Sequence, residues 1–267
     1  MASFTLPDRR SLRFERIGDA GTPVVLLHGY LDSHLSFYRL FEALGAKHRL
    51  YLPDQRGHGD SDPAGDYGIA GFTSDAIAFI EGLGVGPVHL GGHSLGGIVA
   101  QRVAASRPDL VRSLALISTS RHAGNSQALL ETVPLLTALT DPVLESLARE
   151  FQGSTTFTPL PEAIFAPYLA ETRKVKADVW RRALNGLVEE PPLPAAPPSD
   201  LPALILWGRE DSLFLKPDQD ALRRHFIRSD FIEYPETGHA PNWERPADVA
   251  AALLHFWRGL DSEEINS

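Results

Sequence analysis

Val88-His89-Leu90-Gly91-Gly92-His93-Ser94-Leu95-Gly96-Gly97 is the stretch on which the fold turns. Its first five residues read as a strand buried on both faces, as in a parallel sheet. From residue 95 onward Leu95, Ile98, Val99 and Val103 recur at helical spacing, which predicts a helix over 95–106. Between the two lies Gly92-His93-Ser94-Leu95-Gly96, a G-x-S-x-G motif in the strand-to-helix context that gives it meaning. A sharp turn of this kind forces its central residue into a strained backbone conformation, and side chains on the flanking positions would clash. The turn lifts the Ser94 hydroxyl clear of the sheet. It also sets the Leu95 N–H at a helix N-terminus, where developing negative charge is stabilised. A glycine-rich turn that merely lets strand and helix pack closely is the plainer reading; the flanking elements favour a nucleophile.

Outward from this turn the same rhythm repeats. Val24-Val25-Leu26-Leu27, Leu50-Tyr51-Leu52-Pro53-Asp54, Leu114-Ala115-Leu116-Ile117-Ser118 and Ala203-Leu204-Ile205-Leu206-Trp207 are further apolar runs of strand length, with Phe231-Ile232-Glu233-Tyr234 as a sixth. Residues 11–17 alternate polar and apolar, which predicts a strand with one wet face. Helical spacing marks 36–44, 72–83 and 246–257, the last opening on Pro246, a residue suited to a first helical turn. Strands alternating with helices imply parallel pairing through right-handed crossovers, hence an α/β fold with helices on both faces of a mostly parallel sheet.

The rhythm breaks between about Ser120 and Asp200. Residues 126–139, 141–151, 161–171 and 174–188 read as helices, and 189–198, rich in proline, as a stiff extended connector. An all-helical insertion in an open α/β sheet is expected to form a cap over the crevice where such sheets bind ligands. This divides the chain into a core (1–119 and 201–267) and a helical cap (120–200).

A serine hydroxyl needs a base. Of 10 histidines, His239 stands out, in Gly238-His239-Ala240-Pro241 after the last strand, at the same strand end as Ser94. The imidazole in turn needs an acid to fix its tautomer. Asp211 follows the strand ending in Trp207-Gly208, with Glu210 as the neighbour open to confusion. Tyr30, in His28-Gly29-Tyr30 after the strand at 24–27, offers a backbone N–H as a second oxyanion donor beside Leu95. His28 reads as a loop-holding residue, and Tyr30, Leu31, Asp32 and His34 are candidates to line the site, with a solvated loop as the alternative for the last two. The cluster Asp54-Gln55-Arg56-Gly57-His58-Gly59-Asp60-Ser61-Asp62 reads as a structured turn, since no second histidine sits at metal-ligand spacing. No metal and no organic cofactor is expected. The glycines fit no dinucleotide or P-loop pattern.

The whole chain sets bounds. It has 267 residues, a formal net charge of −9 and no cysteine. Disulfides and thiolate nucleophiles are thereby excluded, and the acidic balance argues against nucleic acid as a partner. No signal-peptide pattern opens the chain and no apolar run approaches membrane-spanning length, so the expectation is a cytoplasmic protein, monomer or homodimer, with no membrane association.

Four blocks together resemble the α/β-hydrolase superfamily: His28-Gly29-Tyr30; Asp54 to Ser61; Gly92 to Gly97; and Gly208-Arg209-Glu210-Asp211 with Gly238-His239. The order Ser94, Asp211, His239 matches that superfamily. Within it the chain is similar to the serine branch with a helical cap, which holds esterases, enol-lactonases and C–C-bond hydrolases. Haloalkane dehalogenases and epoxide hydrolases carry Asp at the nucleophile position, so Ser94 argues against those activities. Cofactor-free perhydrolases often carry an aromatic residue after the nucleophile, where this chain has Leu95. The resemblance implies a carboxylic-ester hydrolase acting through an acyl-enzyme on small hydrophobic esters. Lactones and C–C substrates are the alternative, and a hydrolase-like ligand receptor a further one. Phe151, Phe157, Phe165, Tyr168 and Trp180 are read first as packing within the cap and second as pocket walls.

Overall fold

The strands alternate side chains between two faces, and each face is covered by its own helices. In the computed structural model, which describes residues 1–192 and 199–265, eight strands form one sheet. They are β1 (Ala2–Thr5), β2 (Ser11–Ile17), β3 (Pro23–Leu27), β4 (Arg49–Pro53), β5 (Val88–His93), β6 (Val111–Ile117), β7 (Ala203–Gly208) and β8 (Ser229–Tyr234). Their order across the sheet is β1-β2-β4-β3-β5-β6-β7-β8. Strands β4 to β8 pair in parallel, while β1 and β2 are antiparallel additions at one edge.

The helices are α1 (Phe41–Gly45), α2 (Ile69–Leu83), α3 (Leu95–Ser106), α4 (Gln127–Leu136), α5 (Glu145–Gly153), α6 (Glu162–Lys174), α7 (Ala177–Val188), α8 (Lys216–His225), α9 (Pro241–Glu244) and α10 (Pro246–Ile265). Odd and even positions of the central strands explain the layering. Val25, Leu27, Leu90 and Leu116 pack with Phe72, Phe79, Ile98 and Val99 of α2 and α3. Val24, Leu26, Ala115, Ile117 and Leu206 pack with Leu253 and Trp257 of α10 on the other face. Each fully buried Val, Leu, Ile or Phe among them contributes about 1.5–3 kcal/mol.

The run at 36–44 departs from the single helix its spacing predicts. It is a 3-10 helix (His34–Leu40) followed by the short α1. The Ser33 hydroxyl accepts from Leu35 N and starts the tighter winding. Strand β1 and helices α8 and α9 carry no apolar signal of the expected kind: α8 buries only Gln219 and Leu222, and β1 has no buried residue. Between β6 and β7 the four inserted helices α4 to α7 match the all-helical reading of that stretch, with boundaries moved by a few residues. Residues 193–198 of the expected connector lie outside the described residues.

The inserted helices meet the core at the carboxyl ends of the strands. Ser126 Oγ donates to Leu213 O after β7 (2.8 Å). Tyr30, which follows β3, donates its hydroxyl to Trp180 O of α7 (2.5 Å). Trp180, Tyr168, Leu169 and Leu184 belong to the same apolar core as Tyr30 and Leu31. Among the described residues no helix is long and apolar enough to cross a membrane.

Candidate active site

Ser94 occupies the turn between β5 and α3 with φ 52° and ψ −119°. A non-glycine residue there is strained by order 1–3 kcal/mol and persists only where surroundings hold it. They do so through its backbone. Ser94 N donates to Ile117 O (3.0 Å), and Ser94 O accepts from Gly97 N (2.9 Å) and Thr119 Oγ1 (2.7 Å). The glycines earn their places by close approach. A Cβ at Gly92 would lie 2.2 Å from Gly96 O, and one at Gly96 would lie 2.1 Å from Leu27 O.

The loop after β3 covers this turn: a Cβ at Gly29 would lie 3.4 Å from Ser94 Cβ. His28 locks that loop from below. Its Nδ1–H donates to Gly29 O (2.8 Å), and its Nε2 accepts from Gln55 N (2.8 Å). Burial, assisted by the nearby His58, pushes the His28 imidazole down to about 3, so it stays neutral. Its one lone pair is taken by Gln55 N, which leaves it no role as a base. Leu95 opens α3, where its N–H has no intrahelical acceptor. Leu31 sits in the left-handed region at φ 62°. Its carbonyl accepts from Thr172 Oγ1 (3.0 Å) and Gln152 Nε2 (3.4 Å), both on the inserted helices. The next residue, Asp32, is buried, and burial raises its carboxyl to about 7.

Asp211 and His239 come together from the ends of β7 and β8. His239 Nδ1 lies 2.9 Å from Asp211 Oδ2. A carboxylate only accepts, so Nδ1 carries the proton and Nε2 is free to accept one. Asp211 Oδ1 accepts from Leu213 N (2.8 Å) and Phe214 N (3.1 Å), which fixes the carboxylate plane. Glu210 is exposed and takes no part. The histidine loop is tied to the neighbour of Ser94: His93 Nε2–H donates to His239 O (2.8 Å), and the two rings are 5.0 Å apart. Burial pushes His93 down to about 3, so it too is neutral. Ser94, Asp211 and His239 are all buried.

The acidic turn after β4 is structural. Asp54 accepts from His34 N (2.7 Å), His34 Nδ1 (2.8 Å) and Asp60 N (3.0 Å). Arg56 pairs with Asp75 (2.8 Å). His34 is thereby engaged outside the site. Among the described residues no group of three or more His, Asp or Glu side chains could hold a metal ion. Of the aromatic residues considered as walls, Phe165, Tyr168 and Trp180 are buried in the core, while Phe157 is half exposed.

Sequence reading passed over Glu244. Its Oε1 accepts from Gly238 N (2.8 Å), and its Oε2 from Phe157 N (2.9 Å) and Thr158 N (3.2 Å). A lone glutamate after a tryptophan looks like a surface residue, and no spacing marks it. Beside it opens a groove of about 470 Å³ lined by Phe157, Leu160, Ile164, Trp243 and Arg39 among others.

The sequence model of the alpha/beta hydrolase fold matches residues 22–246. The chain is 28% identical over 261 residues to the dihydrolipoyllysine-residue acetyltransferase component of the acetoin cleaving system of Pseudomonas putida. That match covers 92% of this chain but only 66% of the relative, just under two thirds of its length. It is 28% identical to the sn-1-specific diacylglycerol lipase ABHD11 of Mus musculus, across 90% of this chain and 82% of that one. Among solved structures, a thermophilic esterase from Thermogutta terrifontis superposes with a TM-score of 0.85 at 26% identity, covering 97% of this chain and 98% of the other.

Proposed function

Because the chain belongs to the alpha/beta hydrolase fold family, we propose that it is a serine hydrolase of small hydrophobic carboxylic esters. One observation carries the reading: a serine held at positive φ on a strand-to-helix turn, next to a histidine that anchors the carbonyl of His239 (2.8 Å) while His239 holds Asp211 (2.9 Å). The mouse lipase and the Thermogutta esterase support ester chemistry. The apolar side chains around the loop after β3, among them Phe151, Trp180 and Tyr168, support a hydrophobic substrate.

In this reading each residue has one role. His239 Nε2 takes the Ser94 proton as Oγ attacks the ester carbonyl. The N–H groups of Tyr30 and Leu95 receive the oxyanion. Collapse breaks the carbon–oxygen bond to the alcohol, and His239 returns the proton to the departing oxygen. Water, deprotonated by His239, then releases the acid and restores Ser94. In this reading residues 120–200 form a cap over a core made of 1–119 and 201–267. The test is hydrolysis of short p-nitrophenyl esters by the purified chain. Ser94→Ala is expected to lose at least ~1000-fold of kcat; a mutant that keeps wild-type turnover removes the assignment.

A further inference from the structure

Gly238 lies directly under the loop that joins α5 and α6. A Cβ there would lie 2.7 Å from Phe157 N and 2.8 Å from Thr155 O. The segment 155–158 therefore rests on the backbone next to His239. One side chain joins the two. Glu244, closing α9, accepts from Gly238 N (2.8 Å) with one oxygen and from Phe157 N (2.9 Å) and Thr158 N (3.2 Å) with the other. Its own backbone is held by Ala240 O (3.0 Å), so the carboxylate works from a fixed turn.

We propose that Glu244 is a positioning residue for His239, fastening the histidine loop and the covering loop into one unit. This rests on the ester-hydrolase reading above. Three backbone donors converge on one side chain, and only an acceptor-only group with two oxygens satisfies them all. A carboxamide cannot. If its oxygen serves the two donors of 157 and 158, its NH₂ faces the Gly238 N–H and pushes the residue next to the imidazole. Arg245 holds the same loop at other points, through Thr237 Oγ1 (3.2 Å) and Pro235 O (2.9 Å). Loss of Glu244 thus shifts the loop without releasing it.

The experiment compares wild type with Glu244→Gln, Glu244→Ala and Glu244→Asp as full-length protein. Steady-state kinetics on p-nitrophenyl butyrate is read beside amide hydrogen exchange of the substrate-free protein. A shift of about 1 Å at a catalytic group can cost ~100-fold, so kcat is expected to fall ~10- to 100-fold in the Gln and Ala variants. KM should stay within about threefold, and Glu244→Asp should recover part of the loss by retaining the carboxylate. Exchange should rise together in peptides covering 155–158 and 236–239. Unchanged kcat in both variants overturns the proposal, as does a rise in KM alone, which would make Glu244 a wall of the neighbouring groove. Faster exchange in one loop but not the other also overturns it. If wild type hydrolyses no ester, the hydrolase reading falls, and the exchange arm alone still decides whether Glu244 joins the loops.

Discussion

Asp211→Asn is the substitution for which the structure dictates a specific chemical failure. The carboxylate spends Oδ1 on two backbone donors, Leu213 N (2.8 Å) and Phe214 N (3.1 Å), and Oδ2 on His239 Nδ1 (2.9 Å). In asparagine only one of these positions is an acceptor. The two backbone N–H groups claim it, so the NH₂ turns to His239 and donates to Nδ1. The imidazole must then carry its proton on Nε2, where it can no longer accept one from Ser94. The expected fall in kcat is ~10⁴-fold, the scale seen when a triad acid is neutralised with its geometry intact. At about 1.36 kcal/mol per decade this is about 5 kcal/mol of barrier. Folding stability should fall by less, about 1–3 kcal/mol, since the three hydrogen bonds persist and lose only the charge on their shared acceptor group. The assay is p-nitrophenyl butyrate hydrolysis over a pH series, with urea denaturation run on the same preparation. A folded Asn variant within tenfold of wild-type kcat refutes the tautomer argument.

Other perturbations test the scaffold. Gly96→Ala would set a methyl 2.1 Å from Leu27 O, and since both partners are backbone the expected loss is about 1–3 kcal/mol in chemical denaturation. Trp243 is fully buried and stacks on Tyr168 with ring centroids 4.2 Å apart; Trp243→Ala should cost about 3–5 kcal/mol by the same measurement. Asp32 has its carboxyl raised to about 7 by burial, above the 3.8 of an exposed group. The folded state therefore holds the proton that the unfolded state releases, and this residue's contribution to stability declines as pH rises from about 4 to 7. Asp32→Asn should be close to neutral in urea titrations at pH 4 and more stable than wild type at pH 8. An identical offset at both pH values would contradict the assignment.

The turn at Ser94 was legible because three constraints coincide within ten residues: a strand buried on both faces, glycines where backbones touch, and an amphipathic helix. Asp211 and His239 were legible by position, each just after an apolar run, at the strand ends where Ser94 also lies. What escaped has physical reasons. Helix α8 exposes Arg223 and Arg224, half-exposes Asp220 and uses Asp218 to cap Leu215 N (2.8 Å), so little apolar periodicity remains to read. Residues 34–40 wind as 3-10, with a serine cap rather than the apolar spacing setting the first turn, and only 41–45 continue as α-helix. Glu244 was invisible since all its partners are backbone amides, two of them 86 residues or more away at 157 and 158. Helical spacing told that 126–188 was helical but carried nothing about which carbonyls its polar residues would reach.

The carbonyl of Leu31 has a bearing on protein engineering. Swapping specificity between relatives by grafting one helical insertion onto another body assumes that the graft and its host are separate modules. Here Gln152 and Thr172 supply the donors for a host carbonyl two peptide units beyond Gly29. A donor segment without an amide and a hydroxyl at those places leaves it unsatisfied, at about 1–3 kcal/mol. The exchangeable part is therefore the insertion together with the turn at 28–33, and chimeras should be cut at that boundary.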